Sequence, residues 1–188
     1  STDVGRYTSL TIGADGFPII SYQDVDNTAL KVAHCLNVAC TEASNPTIDS
    51  LGDVGKSTSI VIGKDGRALI SYFDVTSNDL KTAHCSNITC SESTTSAAVT
   101  TGGVGDWNSL TIGTDGHAII SYYDSFNGYL EVAHCNDLTC TSATSLDVDT
   151  SGNVGQHTSI TIGSDGLPLV IYHDVISRDL KAVHCSNS

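Results

Sequence analysis

Short stretches in which apolar and polar residues alternate make up most of this chain, and polar segments separate them. The first repeat unit contains three such stretches, TSLTIG (8–13), FPIISYQD (17–24) and LKVAHC (30–35). TSLTIG has the twofold alternation of a β-strand, and all three stretches are too short for a typical helix. Turn residues follow them at ADG (14–16), VDNTA (25–29) and LNVA (36–39), and the more polar TEASNPTID (41–49) supplies a fourth strand. The pattern therefore predicts a meander of four antiparallel strands.

The same pattern occurs four times along the 188 residues, with a period of 50. Four short strands in about 50 residues is the size of a propeller blade. The second strand has apolar or small side chains on both faces, as a sheet between two other sheets requires. We therefore predict an all-β protein, a β-propeller-type array of four-stranded antiparallel blades, with a β-sandwich or a β-solenoid as the alternative. The predicted repeats are 1–50, 51–100, 101–150 and 151–188, the last lacking its outer strand; together they form one domain or a segment of a longer array.

The repeat also has a distinctive motif. The second copy contains DVGKSTSIVIGKDGRALISYFDVTSNDLKTAHCSNITC. It resembles tandem repeats of bacterial secreted and surface proteins, whose pattern is VG-x-x-TS-[LI]-x-IG-x-DG-x-P-x-ISY-x-D-x5-LK-x-AHC. The resemblance extends over all four repeats and implies β-propeller blades, but it implies no activity. The Asp box of sialidases, S-x-D-x-G-x-T-W, is absent, because no Thr-Trp follows the Asp-Gly turns.

Six of the seven cysteines form pairs five positions apart, and each pair flanks a turn between predicted strands. Opposed positions in such a hairpin bring Cβ atoms to about 4.5–5.5 Å, close to the distance in a disulfide. A zinc site needs four converging ligands, whereas each of the first three repeats offers two cysteines and a histidine on the opposite strand face. We predict three disulfides, with a metal site or free thiols as alternatives, and hence a secreted or cell-surface protein. The pairs are Cys35–Cys40, Cys85–Cys90 and Cys135–Cys140.

The seventh cysteine, Cys185, stands where the sequence stops before its expected partner. The sequence begins after an outer strand and ends before one. Either the repeats continue in a longer chain or the missing strand comes from another molecule. Because an open sheet edge and an unpaired thiol favour association, we expect self-association or continuation of the chain, with Cys185 unpaired or in an intermolecular bond.

Charge and hydropathy argue against several partners. The chain has 21 acidic and 8 basic residues and a formal net charge of −13. Nucleic acids need stripes of Lys and Arg, and a membrane-spanning helix needs about 18 consecutive apolar residues. The chain has neither feature, so we expect no nucleic-acid binding, no membrane insertion and no cofactor. Asn87, in Asn-Ile-Thr, is the one N-glycosylation candidate.

A Tyr, an Asp and a His recur in every repeat, as at Tyr22, Asp24 and His34. An active site is a single asymmetric group, so a set repeated four times is better explained by buried hydrogen bonds in each blade. No nucleophile-elbow or zinc-protease motif occurs. The Asp24–Asp26 pair, which would suggest calcium, is not kept in the other repeats. We predict no catalytic residue, no metal site and no enzyme.

Function is expected where the repeats differ. In a four-stranded meander, the fourth-to-first and second-to-third connections lie on the same rim, and these segments vary most. Aromatic residues in polar loops provide contact surfaces for sugars or peptides, and ordinary loop variation is the alternative. The predicted binding rim consists of Tyr7, Trp107, Phe126, Tyr129, His157 and Arg178.

Three functions fit these features. A non-catalytic extracellular repeat scaffold for assembly or adhesion is the first expectation, because the repeats are similar and one edge is open. A lectin-like propeller that binds glycans with its variable rim is the second. A glycoside hydrolase ranks last, since it needs two carboxylates about 5–10 Å apart in only one or two repeats. Asp106 is the repeat-specific acid named for that role.

Overall fold

The computed structural model describes residues 3–186, and their regular secondary structure consists of β-strands alone, which confirms the all-β prediction. Three repeats form meanders, and in the first of them the outer strand is interrupted at Asn45 and Pro46. The fourth repeat has three strands. The strands are β1 (Val4–Ile12), β2 (Pro18–Asp24), β3 (Ala29–Cys35), β4 (Ala43–Ser44), β5 (Thr47–Asp49), β6 (Val54–Ile62), β7 (Ala68–Asp74), β8 (Asp79–Cys85), β9 (Ser93–Val99), β10 (Val104–Ile112), β11 (Ala118–Asp124), β12 (Tyr129–Cys135), β13 (Ala143–Asp149), β14 (Val154–Ile162), β15 (Pro168–Asp174) and β16 (Asp179–His184).

Four antiparallel sheets lie side by side as blades: blade 1 (β1–β5), blade 2 (β6–β9), blade 3 (β10–β13) and blade 4 (β14–β16). The first strands of successive blades are neighbours along the axis of the array, since Ile60 N–H donates to Ser9 Oγ at 3.2 Å. A backbone bond also joins blades 1 and 2, from Val54 N–H to Thr28 O at 3.0 Å. The predicted propeller-type array is therefore present. That the four repeats form one domain stays a prediction.

The first strand of each blade begins earlier than the sequence pattern predicted. β1 starts at Val4 rather than at residue 8, and Tyr7 and Thr8 together lie opposite Tyr22, which makes a β-bulge. The other blades have the same shift in register. A bulge interrupts the alternation of side chains on which the prediction relied. The variable residues of this segment therefore lie inside the innermost strand and not in a connection.

The core lies between the blades. One cluster joins blades 1 and 2, and it includes Ile19, Leu30, Val32, Val54, Ile60 and Ile70. Two similar clusters join blades 2 and 3 and blades 3 and 4. Each blade thus buries its flanks against its neighbours, as expected for a propeller. Residues 3–186 contain no helix that could span a membrane.

The three predicted disulfides are present, with Cα–Cα distances of 4.9, 4.8 and 4.9 Å in blades 1, 2 and 3. In blades 2 and 3 they also pack against the preceding blade: Cys90 and Cys140 are buried, and Thr82 Oγ1 donates to Cys140 O at 2.8 Å. The disulfides therefore belong to the inter-blade core as well as to the turns. Within residues 3–186, Cys185 is the one cysteine without a disulfide, and its intermolecular bond stays a prediction.

The recurring Tyr, Asp and His have separate structural partners. His34 Nε2 is hydrogen-bonded to Asp15 in the turn before β2, at 2.9 Å. Asp24 accepts the Asn27 backbone N–H at 3.2 Å and so shapes the turn after β2. The Asp and the His thus each hold a turn of their own blade, whereas in blades 2 and 4 the Tyr hydroxyl donates to the preceding blade, from Tyr72 to Asp49 and from Tyr172 to Asp149.

Candidate functional site

The bulges of the four innermost strands converge on one depression at an end of the propeller axis. Its volume is ≈ 290 Å³, and each blade contributes two consecutive residues to it. The first residue of each pair differs in every blade, whereas the second is Thr or Asn. We call this site the axial depression; it is lined by Tyr7, Thr8, Ser57, Thr58, Trp107, Asn108, His157 and Thr158.

The variable residue of each pair has a positive φ. The angles are 52° at Tyr7, 50° at Ser57, 47° at Trp107 and 54° at His157. Glycine adopts this conformation without strain, whereas a side chain there costs roughly 1–2 kcal/mol. Residues held in such conformations cluster at functional sites. This conformation coincides with the bulge, which brings one variable side chain from every blade to the axial depression.

The second residue of each pair makes the floor of the depression rigid. Thr58 Oγ1 donates to Tyr7 O at 2.8 Å and is hydrogen-bonded to Ser21 Oγ at 2.7 Å. Asn108 Oδ1 accepts from Ser71 Oγ at 2.5 Å. All three bonds cross from one blade to the next, so the blades hold the variable side chains in fixed positions relative to one another.

Trp107, the only tryptophan of the chain, lies among other aromatic rings. Its centroid is 5.5 Å from Tyr123, nearly edge to face, and 5.1 Å from His157. The Tyr123 hydroxyl donates to Asn153 Oδ1 at 2.8 Å, which fixes that ring. The Trp107 backbone N–H donates to Asp106 Oδ1 at 2.8 Å. The indole is therefore held in place before any ligand arrives.

The structure brings together three of the six predicted rim residues, since Tyr7, Trp107 and His157 line the axial depression. The other three lie farther from the axis. Phe126 is 82% exposed in the β11–β12 turn, Tyr129 begins β12, and Arg178 is exposed in the β15–β16 turn. The rim residues thus form separate surfaces, and binding by any of them stays a prediction.

Two neighbours of the depression, Tyr123 and His173, were not predicted. Tyr123 packs on Trp107, and His173 lies 6.3 Å from His157 between ring centroids. A signal for them exists in the sequence: the middle residue of the recurring Tyr-x-Asp motif differs in every repeat. This residue pairs with the strand position just before the bulge, as Tyr123 does with Asp106 and His173 with Gln156. It therefore varies between repeats together with the residues that line the depression.

A cleft between blades 2 and 3 carries acidic residues. Its volume is ≈ 630 Å³, and Asp124, Phe126, Glu131 and Asp147 are among its lining residues. Glu131 on β12 pairs with Asp147 on β13, so their side chains share one face of the sheet. Burial, followed by the charges of Asp124 and Asp147, raises the pKa of Glu131. We call this site the acidic cleft.

The two facing acids of the cleft are specific to the third repeat. Lys occupies the position of Glu131 in the other three repeats, and Thr47 and Ala97 stand where Asp147 would be. The sequence pointed to Asp106 as the repeat-specific acid and not to this pair, because Glu131 and Asp147 lie within strands, whereas functional variation was expected in the connections. Asp106 itself hydrogen-bonds Ser57 Oγ at 2.7 Å, in addition to the Trp107 backbone.

The glycosylation candidate Asn87 lies in the turn that the Cys85–Cys90 disulfide closes. It is half-buried; its side-chain amide donates to Ser91 Oγ at 2.9 Å, and its Oδ1 accepts the Ser91 backbone N–H at 3.1 Å. The side chain therefore helps to shape the turn. Its modification stays a prediction.

Comparison with known proteins identifies the fold. No protein-family model and no curated protein matches the chain. A bifunctional GH43-CE protein of Bacteroides eggerthii is similar in structure, with a TM-score of 0.61 and 12% identity over 94% of this chain and 24% of that one. An endo-1,4-β-xylanase from Bacteroides thetaiotaomicron has a TM-score of 0.59 and 13% identity over 93% of this chain and 68% of that one. The Dos1 propeller has a TM-score of 0.56 and 11% identity over 96% of this chain and 47% of that one.

These similarities confirm the β-propeller fold and the propeller part of the predicted resemblance. At such identities they show the fold alone, and the chain spans only 24% of the bifunctional protein. The bacterial secreted origin stays a prediction.

The prediction that the chain is not an enzyme is wrong. Several propellers that share its fold are glycoside hydrolases, among them a β-1,3-galactosidase, an endo-1,4-β-xylanase and an endo-arabinase. Repetition of a residue speaks against catalysis only at the repeated positions, and the depression and the acidic cleft are built from residues that differ between blades. At 12, 8 and 13% identity these neighbours show the fold alone, so the scaffold that was expected first and the glycan-binding alternative both stay predictions.

Proposed function

We propose that this protein binds neutral carbohydrate at the axial depression. The observation that carries the proposal is the convergence there of the repeat-specific residues of all four blades around Trp107. An indole offers a flat apolar face for a sugar ring, and neighbouring polar groups supply orientation. Tyr7 and His157 are exposed beside it and provide a hydroxyl and an imidazole.

The charge of the molecule and the kind of fold both support a neutral sugar. A formal net charge of −13 disfavours anionic polysaccharides. Neighbours of the same fold carry names such as β-1,3-galactosidase and endo-1,4-β-xylanase, which refer to carbohydrate substrates.

Intrinsic fluorescence tests this function, because Trp107 is the only tryptophan. We expect neutral oligosaccharides selected on a glycan array to shift its emission saturably. Calorimetry should show Trp107→Ala weakening the affinity at least about tenfold, which corresponds to about 1.4 kcal/mol. Phe126→Ala removes an exposed aromatic ring outside the depression and should leave the affinity unchanged. Failure of every glycan to bind, or loss with Phe126→Ala but not with Trp107→Ala, would contradict the proposal.

A second candidate function, glycoside hydrolysis, is supported by the acidic cleft. Glu131, whose pKa is raised, lies opposite the exposed Asp147. A carboxyl group that keeps its proton next to one that loses it is the pairing that glycosidases use. In this function Glu131 donates its proton to the leaving oxygen, and the Asp147 carboxylate takes a proton from the water that bonds to the anomeric carbon as the glycosidic bond breaks.

Release of reducing sugar from xylan, galactan and arabinan measures this second function. Glu131→Gln removes the acidic proton and should abolish release, whereas Glu92→Gln, an exposed acid of blade 2, should not change it. Full activity in Glu131→Gln, or no release from any substrate by the unmodified chain, would exclude the cleft as a hydrolytic site.

We also propose an extracellular location. Three disulfides support it, because such bonds persist in oxidising compartments. Detection of the protein in the culture medium of its source, with those bonds formed, is the expected result, and reduced protein confined to the cytosol would contradict it. The lack of nucleic-acid binding and of membrane insertion stays a prediction.

A further inference from the structure

The third blade carries two imidazoles and one carboxylate close together, at the other end of β10 from the axial depression. Asp115 and His117 lie in the turn between β10 and β11, and His134 lies near the end of β12. One ligand atom from each of them lies within 4.8 Å of the others. The three side chains come from two segments that the sheet holds side by side.

The fold orients the carboxylate of this cluster. The His117 backbone N–H donates to Asp115 Oδ1 at 3.0 Å, and the equivalent bond is present in the other blades. This bond leaves Oδ2 to face the histidine of the third strand. In blades 1 and 2 that histidine is hydrogen-bonded to Oδ2, at 2.9 and 2.8 Å.

Blade 3 departs from this arrangement in two ways. It has a second imidazole, His117, where the other blades have Phe17, Arg67 and Leu167. In addition, Nε2 of His134 lies 3.0 Å from Asp115 Oδ2 without hydrogen-bond alignment, and this buried atom has no hydrogen-bond partner among residues 3–186. A buried polar atom without a partner is uncommon, and a bound ion is one of the arrangements that satisfies such an atom.

We propose that Asp115, His117 and His134 bind one divalent transition-metal ion of the zinc class. The ligand atoms are Oδ2, Nδ1 and Nε2. Nδ1 of His117 is 3.4 Å from Oδ2 and Nε2 of His134 is 3.0 Å from it. Tetrahedral ligands at about 2.0–2.1 Å from zinc are about 3.3–3.4 Å apart, and the two imidazole nitrogens, which lie within 4.8 Å of each other, would have to move to that spacing. Two imidazoles and one carboxylate suit zinc or copper better than calcium, which takes oxygen ligands.

Titration of the chelator-treated full chain with Zn²⁺ tests this site by calorimetry. We expect one equivalent to bind and the thermal midpoint to rise with Zn²⁺, because binding stabilises the native state. His117→Leu, which copies the residue of blade 4, should abolish both effects. Leu167→His copies the third repeat into blade 4 and should add a second equivalent. Absence of stoichiometric binding, or equal binding by His117→Leu with an unchanged circular dichroism spectrum, would overturn the proposal.

Independently of this cluster, the two end blades expose faces that the inner blades bury. Leu10 of blade 1 is 61% exposed, whereas its counterpart Ile60 is 4% exposed. Leu180 of blade 4 is 76% exposed, whereas Leu80 is fully buried. The first face is the one that a preceding blade covers elsewhere in the molecule, and the second is the one that a following blade covers.

The same two faces carry matching polar groups. At each internal interface, a serine of the innermost strand accepts a backbone N–H of the next blade, as Ser109 Oγ does from Ile160 at 3.3 Å. Ser159 is the exposed counterpart on blade 4, and the Leu10 N–H is the counterpart on blade 1. The faces are therefore complementary in polar groups as well as in apolar ones.

The shape of the blade 1 face leaves room for Leu180. A Cβ on Gly55, Gly105 or Gly155 would lie 2.9, 2.8 or 2.8 Å from the Cα of the leucine in the preceding blade. The equivalent Gly5 has nothing within 4 Å of such a Cβ. The blade 4 face differs from the inner faces at one position. Ile171 replaces the serine that forms a hydrogen bond to the next blade in blades 1 to 3, so this part of the blade 4 face is apolar.

From these matches we infer that blade 1 of a second copy of this chain packs on blade 4 of the first. The contact repeats the interface that joins blades 1 to 2, 2 to 3 and 3 to 4. Because the two faces differ, the contact is head to tail, so it closes into a ring or continues into a longer assembly.

Sedimentation velocity and light scattering test the contact. We expect dimers or larger assemblies at micromolar concentration, and monomers for Leu180→Asp and for Leu10→Asp. Ile88→Asp changes an apolar residue of similar exposure, 48%, away from both faces and should still assemble. Cys185→Ser should also assemble, since the contact needs no disulfide. A monomeric unmodified chain, or assemblies that persist in both end-face variants, would overturn the inference.

Discussion

At the scale of single residues, the buried tyrosine hydroxyls keep a carboxylate as hydrogen-bond acceptor even where the acidic residue stands at a different position. In blade 2, the Tyr72 hydroxyl donates to Asp49 of blade 1 at 2.7 Å, and Lys81 donates to the same carboxylate at 2.5 Å. Where blade 2 meets blade 3, Val99 replaces the aspartate, and Glu131 replaces the lysine. Tyr122 of blade 3 now donates to Glu131 at 2.5 Å. At each of these two interfaces, one carboxylate therefore accepts the hydrogen bond of the buried tyrosine hydroxyl.

Glu131→Gln should make the protein more stable at neutral pH. Burial raises the pKa of Glu131, so the folded state holds this proton more tightly than the unfolded chain does. The folding stability of the unmodified protein therefore falls as the pH rises through the folded pKa of Glu131. The glutamine of the variant does not titrate, and its side-chain oxygen still accepts the hydrogen bond from the Tyr122 hydroxyl. Urea unfolding should give a gain of roughly 1 kcal/mol at pH 7 that shrinks below the ordinary pKa. A loss of stability at pH 7 would show that the charged form is favoured in the folded state.

Asp149→Asn should act in the opposite sense. Burial alone would raise the pKa of Asp149, but hydrogen bonds from Ser151 and Tyr172 and the charge of Lys181 outweigh it and lower the pKa to about 2. The unfolded state then binds the proton more readily, so the stability is present at neutral pH and is lost as the pH falls from about 4 towards 2. We expect a cost of about 1–2 kcal/mol at pH 7. The difference from the unmodified chain should vanish near the folded pKa, and Asp179→Asn, an exposed control, should show little effect at any pH.

At the scale of strands and turns, the sequence pattern was sufficient wherever side chains alternate. The second and third strands of each repeat, the Asp-Gly turns and the disulfide pairs were all predicted, because each depends on residues within a few positions. The innermost strand was predicted only from residue 8, since the bulge at Tyr7 breaks the alternation. The contact between Trp107 and Tyr123 was not predicted for the same reason, because it depends on the bulge, which no local sequence pattern reveals.

Gly105→Ala should cost clearly more stability than Gly5→Ala. Both glycines have a positive φ, 106° and 92°, so the backbone strain of the alanine is similar in the two variants. At Gly105, the new Cβ would lie 2.8 Å from Leu80 Cα, whereas Gly5 has open space. The difference should be about 1–3 kcal/mol, the cost of forcing a methyl group into a packed interface. Unfolding midpoints measured at a concentration where the chain is monomeric give this difference, and equal costs would mean that the blades do not pack as closely as described.

At the scale of the whole molecule, stability resides in interfaces between neighbouring blades, so each blade depends on its neighbours. Blade 1 lacks cover on one flank and blade 4 on the other, which is why Val4 is 51% exposed while Val54 is fully buried. The sequence could predict the repeat and its missing outer strand. It placed Tyr7, Trp107 and His157 on one rim, but it could not predict that they close around one depression, because that depression is formed by residues from four distant segments. The same arrangement that gathers four variable residues at the axis leaves two apolar flanks at the ends.

Salt should strengthen the association of two copies. Each chain has a formal net charge of −13, and the contacting flanks are mainly apolar, so the long-range term between copies is repulsive. Raising NaCl from about 20 to about 300 mM shortens the screening length to below about 10 Å and should lower the dissociation constant of the assembly. Sedimentation at both concentrations measures this change. Weaker assembly at high salt would mean that ion pairs, rather than the exposed leucines, hold the copies together. Neutral glycan binding to the axial depression should be the same at both concentrations, because it involves no net charge on the ligand.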